Sequence, residues 1–147
     1  IIDQKRKPLQ MMSYEFDNDV LYNSSIGKSK NIKTFIMDSN IVVGVGNIYA
    51  SESLFLAGIS PKRISGKTSK NRYKILTKSI KKILADAINN GGTTLNDFSN
   101  VDGSPGYFSQ VLAVYDRENK PCIRCNVKIK RIVQNQRATY YCPKCQN

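Results

Sequence analysis

A mainly α fold closed by a small four-cysteine β-hairpin is what this sequence predicts. Three observations carry that prediction. Apolar residues recur at helical spacing through Ser69–Asn90, where Leu76, Ile80, Ile83 and Ala87 share one face and lysines occupy much of the rest. Glycines and short polar runs cut the preceding segments into helix-length pieces. All four cysteines lie in the last stretch, PCIRCNVKIKRIVQNQRATYYCPKCQN, as two Cys-x-x-Cys pairs with sixteen residues between them.

The elements follow in order. The opening IIDQKRKPLQMM has no periodicity and reads as the end of something else, so residues 1–16 are assigned to a linker or to the end of an amino-terminal domain. Asp17–Ser25 and Ser29–Met37 predict short helices, with Val20/Leu21 and Ile32/Phe35/Ile36 as apolar faces. Gly44 and Gly46 interrupt the run Ile41–Val45, which favours a glycine-bearing turn over a strand. Asn47 is placed as the N-cap of NIYASESLFLAG, and Gly58 as its stop. Ile75, Leu84 and Ile88 are expected to reinforce the face of the long helix, which Gly91-Gly92 ends. A loop, Thr93–Ser109, then leads to a strand at Val111–Tyr115. Val127–Val133 and Arg137–Tyr141 read as hairpin strands around a QNQ turn. The domain reading is 17–110 for the helical module and 111–147 for the finger, each with its own core.

The 147 residues carry 23 Lys+Arg against 11 Asp+Glu, a net charge of +12. That excess points to a polyanionic partner, nucleic acid before an acidic membrane surface. The longest apolar stretch, IVVGVGNIYA, is too short to span a bilayer, and no leader-like segment opens the chain. A soluble, intracellular protein is the expectation.

Thiols stay reduced in such a compartment, where paired Cys-x-x-Cys motifs compete between metal binding, redox chemistry and disulfides. The spacing here favours one structural zinc held by Cys122, Cys125, Cys142 and Cys145. There is no histidine, which excludes Ser-His and Cys-His nucleophile systems and mixed Cys/His zinc sites. Between and around the cysteines, Lys120–Asn147 holds seven basic residues and no acidic one. Lys128, Lys130 and, at the hairpin tip, Arg137 are therefore candidate contacts to nucleic acid, Arg137 to a phosphate or the minor groove.

Three stretches, VVGVGNIYASESLFLAGISPKR, NNGGTTLNDFSNVDGSPGYF and QRATYYCPKCQ, resemble the carboxy-terminal half of bacterial formamidopyrimidine-DNA glycosylase. The sister endonuclease VIII family shares the layout, but GNIYASESLF and QRATYYC look like the formamidopyrimidine branch. The resemblance implies a helix-two-turn-helix module followed by a zinc finger, and double-stranded damaged DNA as partner. It implies that Asn47, beside Gly46 in the GVGN turn, presents its amide and nearby N–H groups to a phosphate, and that Arg137 grips phosphates flanking the lesion. It makes Thr93–Phe108 a loop over the extruded oxidised purine, with Thr94, Gly103, Gly106 and Tyr107 as its candidate contacts. Two positions depart from the family pattern: Asn96, where a basic residue is common, and Asp116, where a glycine is common.

The family's enzymes begin with a Pro-Glu pair that forms a Schiff base with the sugar and moves protons. No such pair opens this chain, so no catalytic residue is assigned within it. The expectation is the DNA-binding half of a base-excision-repair glycosylase and AP lyase, inactive alone and completed by an amino-terminal catalytic domain. A non-catalytic, zinc-containing nucleic-acid-binding module is the alternative. The resemblance further implies a monomer in the bacterial cytoplasm, at the nucleoid.

Overall fold

The structure, a computed structural model, describes residues 9–10, 19–38, 40–43, 45–89 and 112–147. Among these, no helix is long and apolar enough to cross a membrane. The expected loop at Thr93–Ser109, Asn96 and the opening residues other than 9–10 lie outside the described residues.

Among the described residues, four α-helices build the first unit: α1 (Val20–Ser25), α2 (Ile32–Met37), α3 (Asn47–Ala57) and α4 (Lys70–Asn89). Asn31 starts α2 by accepting the Thr34 N–H at 2.8 Å, a side-chain cap that satisfies one of the helix's orphan donors. The segment between α2 and α3 is not turn alone. Val42–Val43 (β2) pairs in parallel with Leu9–Gln10 (β1), so two valines of the run read as a turn are extended.

Gly58 ends α3 with φ 75°. Its N–H bonds to the Phe55 carbonyl, and the Ile59 N–H reaches back to Leu54, each at 3.0 Å. This paired closure needs a left-handed residue, and glycine adopts that conformation without the Cβ clash. Gly66 is required for a different reason: a Cβ there would lie 2.4 Å from the Lys28 carbonyl oxygen.

Burial follows the helical periods. Leu21, Ile32, Phe35, Ile36, Val45, Ala50, Leu54, Ile59, Tyr73, Leu76 and Ile80 form one core. Tyr73 sits at its centre, its ring edge-on to Phe35 at 6.0 Å and its hydroxyl donating to the Ser65 carbonyl at 2.7 Å. Ile75, expected to join this face, is instead exposed. It lies one residue from Leu76, and 100° per residue carries it to the lysine side.

The second unit is the finger. β3 (Lys130–Gln134) and β4 (Arg137–Tyr141) run antiparallel, with Gln134 opposite Arg137 and Lys130 opposite Tyr141. Asn135 and Gln136 connect them at φ 49° and 66°, the left-handed pair that matches strand twist in a two-residue hairpin. The strand expected at Val111–Tyr115 is not one: residues 112–116 are coil, bend and turn.

Their backbone donors go elsewhere. Glu52 of α3 accepts the N–H groups of Ala113 (2.7 Å), Val114 (2.9 Å) and Tyr115 (2.9 Å). A strand partner would have taken alternate donors; one carboxylate takes three in a row. Burial pushes the Glu52 carboxyl up, while those three N–H groups and the Arg117 guanidinium pull it back.

The finger has a core of its own, distinct from that of the module, but it borrows a residue from α3. Val114, Ile129, Tyr140, Cys122 and Cys142 close around Phe55, which comes from α3. Arg124 of the finger lies over the Phe55 ring at 4.4 Å and donates to its carbonyl at 3.3 Å. That places a cation on the negative end of α3. Gln146, buried, donates to the Ile59 carbonyl at 2.9 Å and accepts the Cys142 N–H at 2.7 Å.

Candidate metal centre and anion pocket

The first site is the cysteine cluster. Cys122 and Cys125 sit on one knuckle and Cys142 and Cys145 on the other, and all four sulfurs lie within 4.8 Å of one another. The closest approaches are 3.4 Å between Cys125 and Cys142 and 3.8 Å between Cys122 and Cys145. A zinc ion with sulfurs at about 2.3 Å needs tetrahedral edges of about 3.8 Å, so the cluster fits it.

The knuckles also supply backbone donors. The Arg124 N–H points to the Cys122 sulfur and the Cys145 N–H to the Cys142 sulfur, both at 3.3 Å. Burial pushes the Cys122 thiol up, but the N–H groups of Arg124 and Cys125 and the neighbouring thiols bring it to about 7. Burial, then the neighbouring thiols, push Cys145 up to about 12. Without a metal the cluster therefore holds one thiolate far more readily than four. A dication supplies the compensating charge. With four protein ligands the site is closed to water and structural.

The second site lies between α2 and the hairpin tip. An open pocket of about 340 Å³ is lined by Lys30, Lys33, Thr34, Asp38, Gln134 and Arg137, among others. Asp38, its one carboxylate, is held by Lys30 at 3.2 Å and by the Asn40 N–H at 2.8 Å. Arg137 is exposed and is the first residue of β4.

Lys33 is the residue that sequence reasoning missed. It is 1% exposed, yet among the described residues its ammonium donates only to neutral oxygens, Asn47 Oδ1 and Thr139 Oγ1. Burial first, and Arg137 second, lower its pKa from 10.5 to about 8. The one sequence signal was a lysine between Ile32 and the Phe35-Ile36 pair in a short apolar helix.

Asn47 is placed differently from expectation. Gly46 holds the N-cap position of α3, with no side chain to cap the helix, and Asn47 is the first helical residue. Its side chain bridges instead: Oδ1 accepts from Lys33, and Nδ2 donates to the Ala138 carbonyl at 3.0 Å. The helix end thus stays without a side-chain cap, and a Cβ at Gly46 would meet nothing within 4 Å. Lys128 and Lys130 are exposed on the finger. Thr94, Gly103, Gly106 and Tyr107 lie outside the described residues.

A glycine-bearing turn between α2 and α3, a four-cysteine hairpin docked on α3, and a basic pocket between them define a helix-two-turn-helix module carrying a zinc finger. Residues 7–99 match the family described as formamidopyrimidine-DNA glycosylase H2TH domain, and residues 119–147 match the zinc finger found in FPG and IleRS. The chain belongs to the formamidopyrimidine-DNA glycosylase family.

The formamidopyrimidine-DNA glycosylase of Ruthia magnifica is 66% identical over 131 residues, covering 89% of this chain and 49% of that protein. Its counterpart in Alcanivorax borkumensis is 49% identical over 149 residues, covering 98% of this chain and 55% of that protein. The chain thus spans about half the length of the curated relatives it matches. Among solved structures, MutM (Fpg) from Thermus thermophilus superposes with a TM-score of 0.86 at 34% identity, over 97% of this chain and 54% of that one. Lactococcus lactis Fpg in complex with abasic-site DNA gives 0.85 at 32% identity, over 98% and 53%.

Proposed function

We propose that this chain is the DNA-clamping half of a base-excision-repair glycosylase and AP lyase acting on oxidised purines such as 8-oxoguanine and formamidopyrimidines. The observation that supports the reading is the basic pocket in which α2 and the finger tip present Lys30, Lys33 and Arg137 together. Lys33 ties that pocket to Asn47 and the side-chain-free N-cap of α3. A phosphodiester suits both features. It needs cations and backbone N–H donors, and it needs the close approach that Gly46 leaves open. Lys128 and Lys130 add charge along the same hairpin, and Thr94, Gly103, Gly106 and Tyr107 are proposed as contacts to the extruded base. The zinc holds the finger in shape and takes no part in the chemistry.

Excision and strand cleavage are proposed for the whole protein, of which this chain corresponds to about half. They need a poised amine and a carboxyl beside the sugar. Among the described residues the exposed lysines are poor nucleophiles while protonated, Lys33 is buried and engaged by Asn47 and Thr139, and the cysteines are metal ligands.

Anisotropy titration of the zinc-loaded chain tests the reading against three probes: a duplex with an abasic-site analogue, the same duplex intact, and an RNA duplex. Salt-sensitive binding that prefers the abasic duplex is expected. Equal affinity for RNA would favour a general nucleic-acid-binding module instead. In a parallel borohydride trap with abasic DNA, the chain should form no more adduct than an unrelated basic protein.

A further inference from the structure

We propose that Lys33 is a positioning residue that couples occupation of the pocket by a phosphate group to uptake of one proton from solution. This deepens the reading above and rests on it.

Among the described residues, the geometry gives Lys33 no counter-charge. From its own helix end, Lys30 and Asp38 face it, and these are paired with each other. From α3 comes Asn47, and from β4 come Thr139 and Arg137. Gln134 and Asn135 of the hairpin turn are neutral. Among the described residues the ammonium therefore has two neutral acceptors, no carboxylate of its own, and a guanidinium that repels it. Burial and that repulsion bring its titration down to about 8, so a fraction of the molecules carries it neutral at mildly alkaline pH.

A phosphate held by Arg137 in this pocket reverses the balance. It screens the guanidinium and adds a negative charge on the open side, which favours the protonated form of Lys33. The proton comes from the buffer and stays on Nζ. As an ammonium, Lys33 has three N–H donors, two of them used on Asn47 and Thr139. The third is then available to a phosphate oxygen. As a neutral amine it has two donors, both already engaged. Lys33 thus acts through Asn47 and Thr139, holding turn and finger in the register that receives the phosphate.

The consequence is a pH-dependent affinity with a definite sign. Binding takes up a proton wherever free Lys33 is deprotonated, so affinity falls as pH rises above about 8. Between pH 7 and pH 9 the loss should be about tenfold if the bound form stays protonated.

Calorimetry of the zinc-loaded chain with a short abasic-analogue duplex, at pH 8 in two buffers of different ionisation enthalpy, counts the protons directly. We expect uptake of about one half of a proton per duplex bound, since free Lys33 is half-protonated at that pH, and none in Lys33→Arg, whose charge does not titrate, or in Lys33→Met, which has none. Lys33→Arg should also hold its affinity between pH 7 and pH 9. Binding at pH 7 with no uptake at pH 8 overturns the coupling and leaves the proposed function standing. Uptake that persists undiminished in both variants also overturns it, because another group then gains the proton. No binding of the wild-type chain at pH 7 overturns the proposed function itself.

Discussion

The helical module and the finger close their cores with different materials. In the module, apolar side chains from α1, α2, α3 and α4 meet in one continuous cluster centred on Tyr73. In the finger, Val114, Ile129 and Tyr140 share the interior with two cysteines and with Phe55, taken from α3. The module's core can be read as hydrophobic burial at about 25 cal/mol per Å² of apolar surface. The finger has little such surface and relies on metal ligation plus polar anchors: Glu52 to Ala113–Tyr115, Arg124 to Phe55, Gln146 to Ile59 and Lys33 to Thr139. Each anchor crosses the boundary between the two units. One of these anchors, Lys33, also lines the anion pocket, and damage to the finger's core should reach α2 and α3.

Removing zinc breaks the comparison most severely. Structural zinc contributes about 10 kcal/mol or more to the folding of small metal modules, so a chelator should unfold the finger and abolish duplex binding. The helical core should survive, but not untouched, because Phe55 and Glu52 lose their partners. We expect most of the helical circular dichroism to remain and the melting temperature of that remnant to fall. A melting curve identical with and without zinc would show the two units to be independent. Metal analysis of the reduced protein should find one zinc per chain.

Glu52→Gln tests the anchors without touching the metal. The amide keeps one acceptor oxygen and turns an N–H₂ group toward backbone donors, leaving at least one buried N–H unpaired. With charge-assisted bonds involved, the cost should be about 2 to 3 kcal/mol in denaturant unfolding at saturating zinc. A loss under about 1 kcal/mol would mean that the Ala113–Tyr115 turn finds other acceptors.

The same division explains what the sequence disclosed. Periodicity placed α1 to α4 because apolar burial repeats every third or fourth residue, and Cys-x-x-Cys spacing placed the metal because zinc's geometry is local to two knuckles. Glu52 and Lys33 left no such mark. Their partners lie 61 and 106 positions away, and a lone charged residue in an apolar helix has no pattern of its own. Val111–Tyr115 was misread as a strand for a related reason. VLAVY has β-forming residues, but a distant carboxylate gathers three consecutive N–H groups and leaves no ladder to extend. Asn47 was misplaced by one position as a cap because asparagine favours helix starts, whereas here its amide ties α2 to the finger.

Arg137→Ala probes the pocket rather than the folding of either unit. Arg137 is exposed and accepts no structural role in the finger's core, so stability should change little. Duplex affinity should fall almost equally across sequences, and the slope of log affinity against log salt should flatten by about one unit, as expected for one lost phosphate contact. Removing the guanidinium should also raise the Lys33 pKa from about 8, since Arg137 is the second cause of its lowering. An unchanged salt slope would mean that the tip does not meet the backbone.

The smallest effect concerns a turn in the finger. Asp116 follows the turn gathered by Glu52 and holds φ 62°, at a position where the family pattern commonly has glycine. An L-residue in the left-handed region is strained by about 1 kcal/mol, less for aspartate, while glycine costs about 0.5 to 1 kcal/mol in the entropy of the unfolded chain. The two nearly cancel, so Asp116→Gly should change stability by no more than about 0.5 kcal/mol. Gly58, at φ 75° where α3 ends, gives the reverse case. Gly58→Ala imposes the strain without the aspartate's tolerance and should cost about 1 to 2 kcal/mol. Paired denaturation curves would read both. If Asp116→Gly cost more than about 1 kcal/mol, the exposed carboxylate would be holding the turn, which would then depend on that side chain as well as on Glu52.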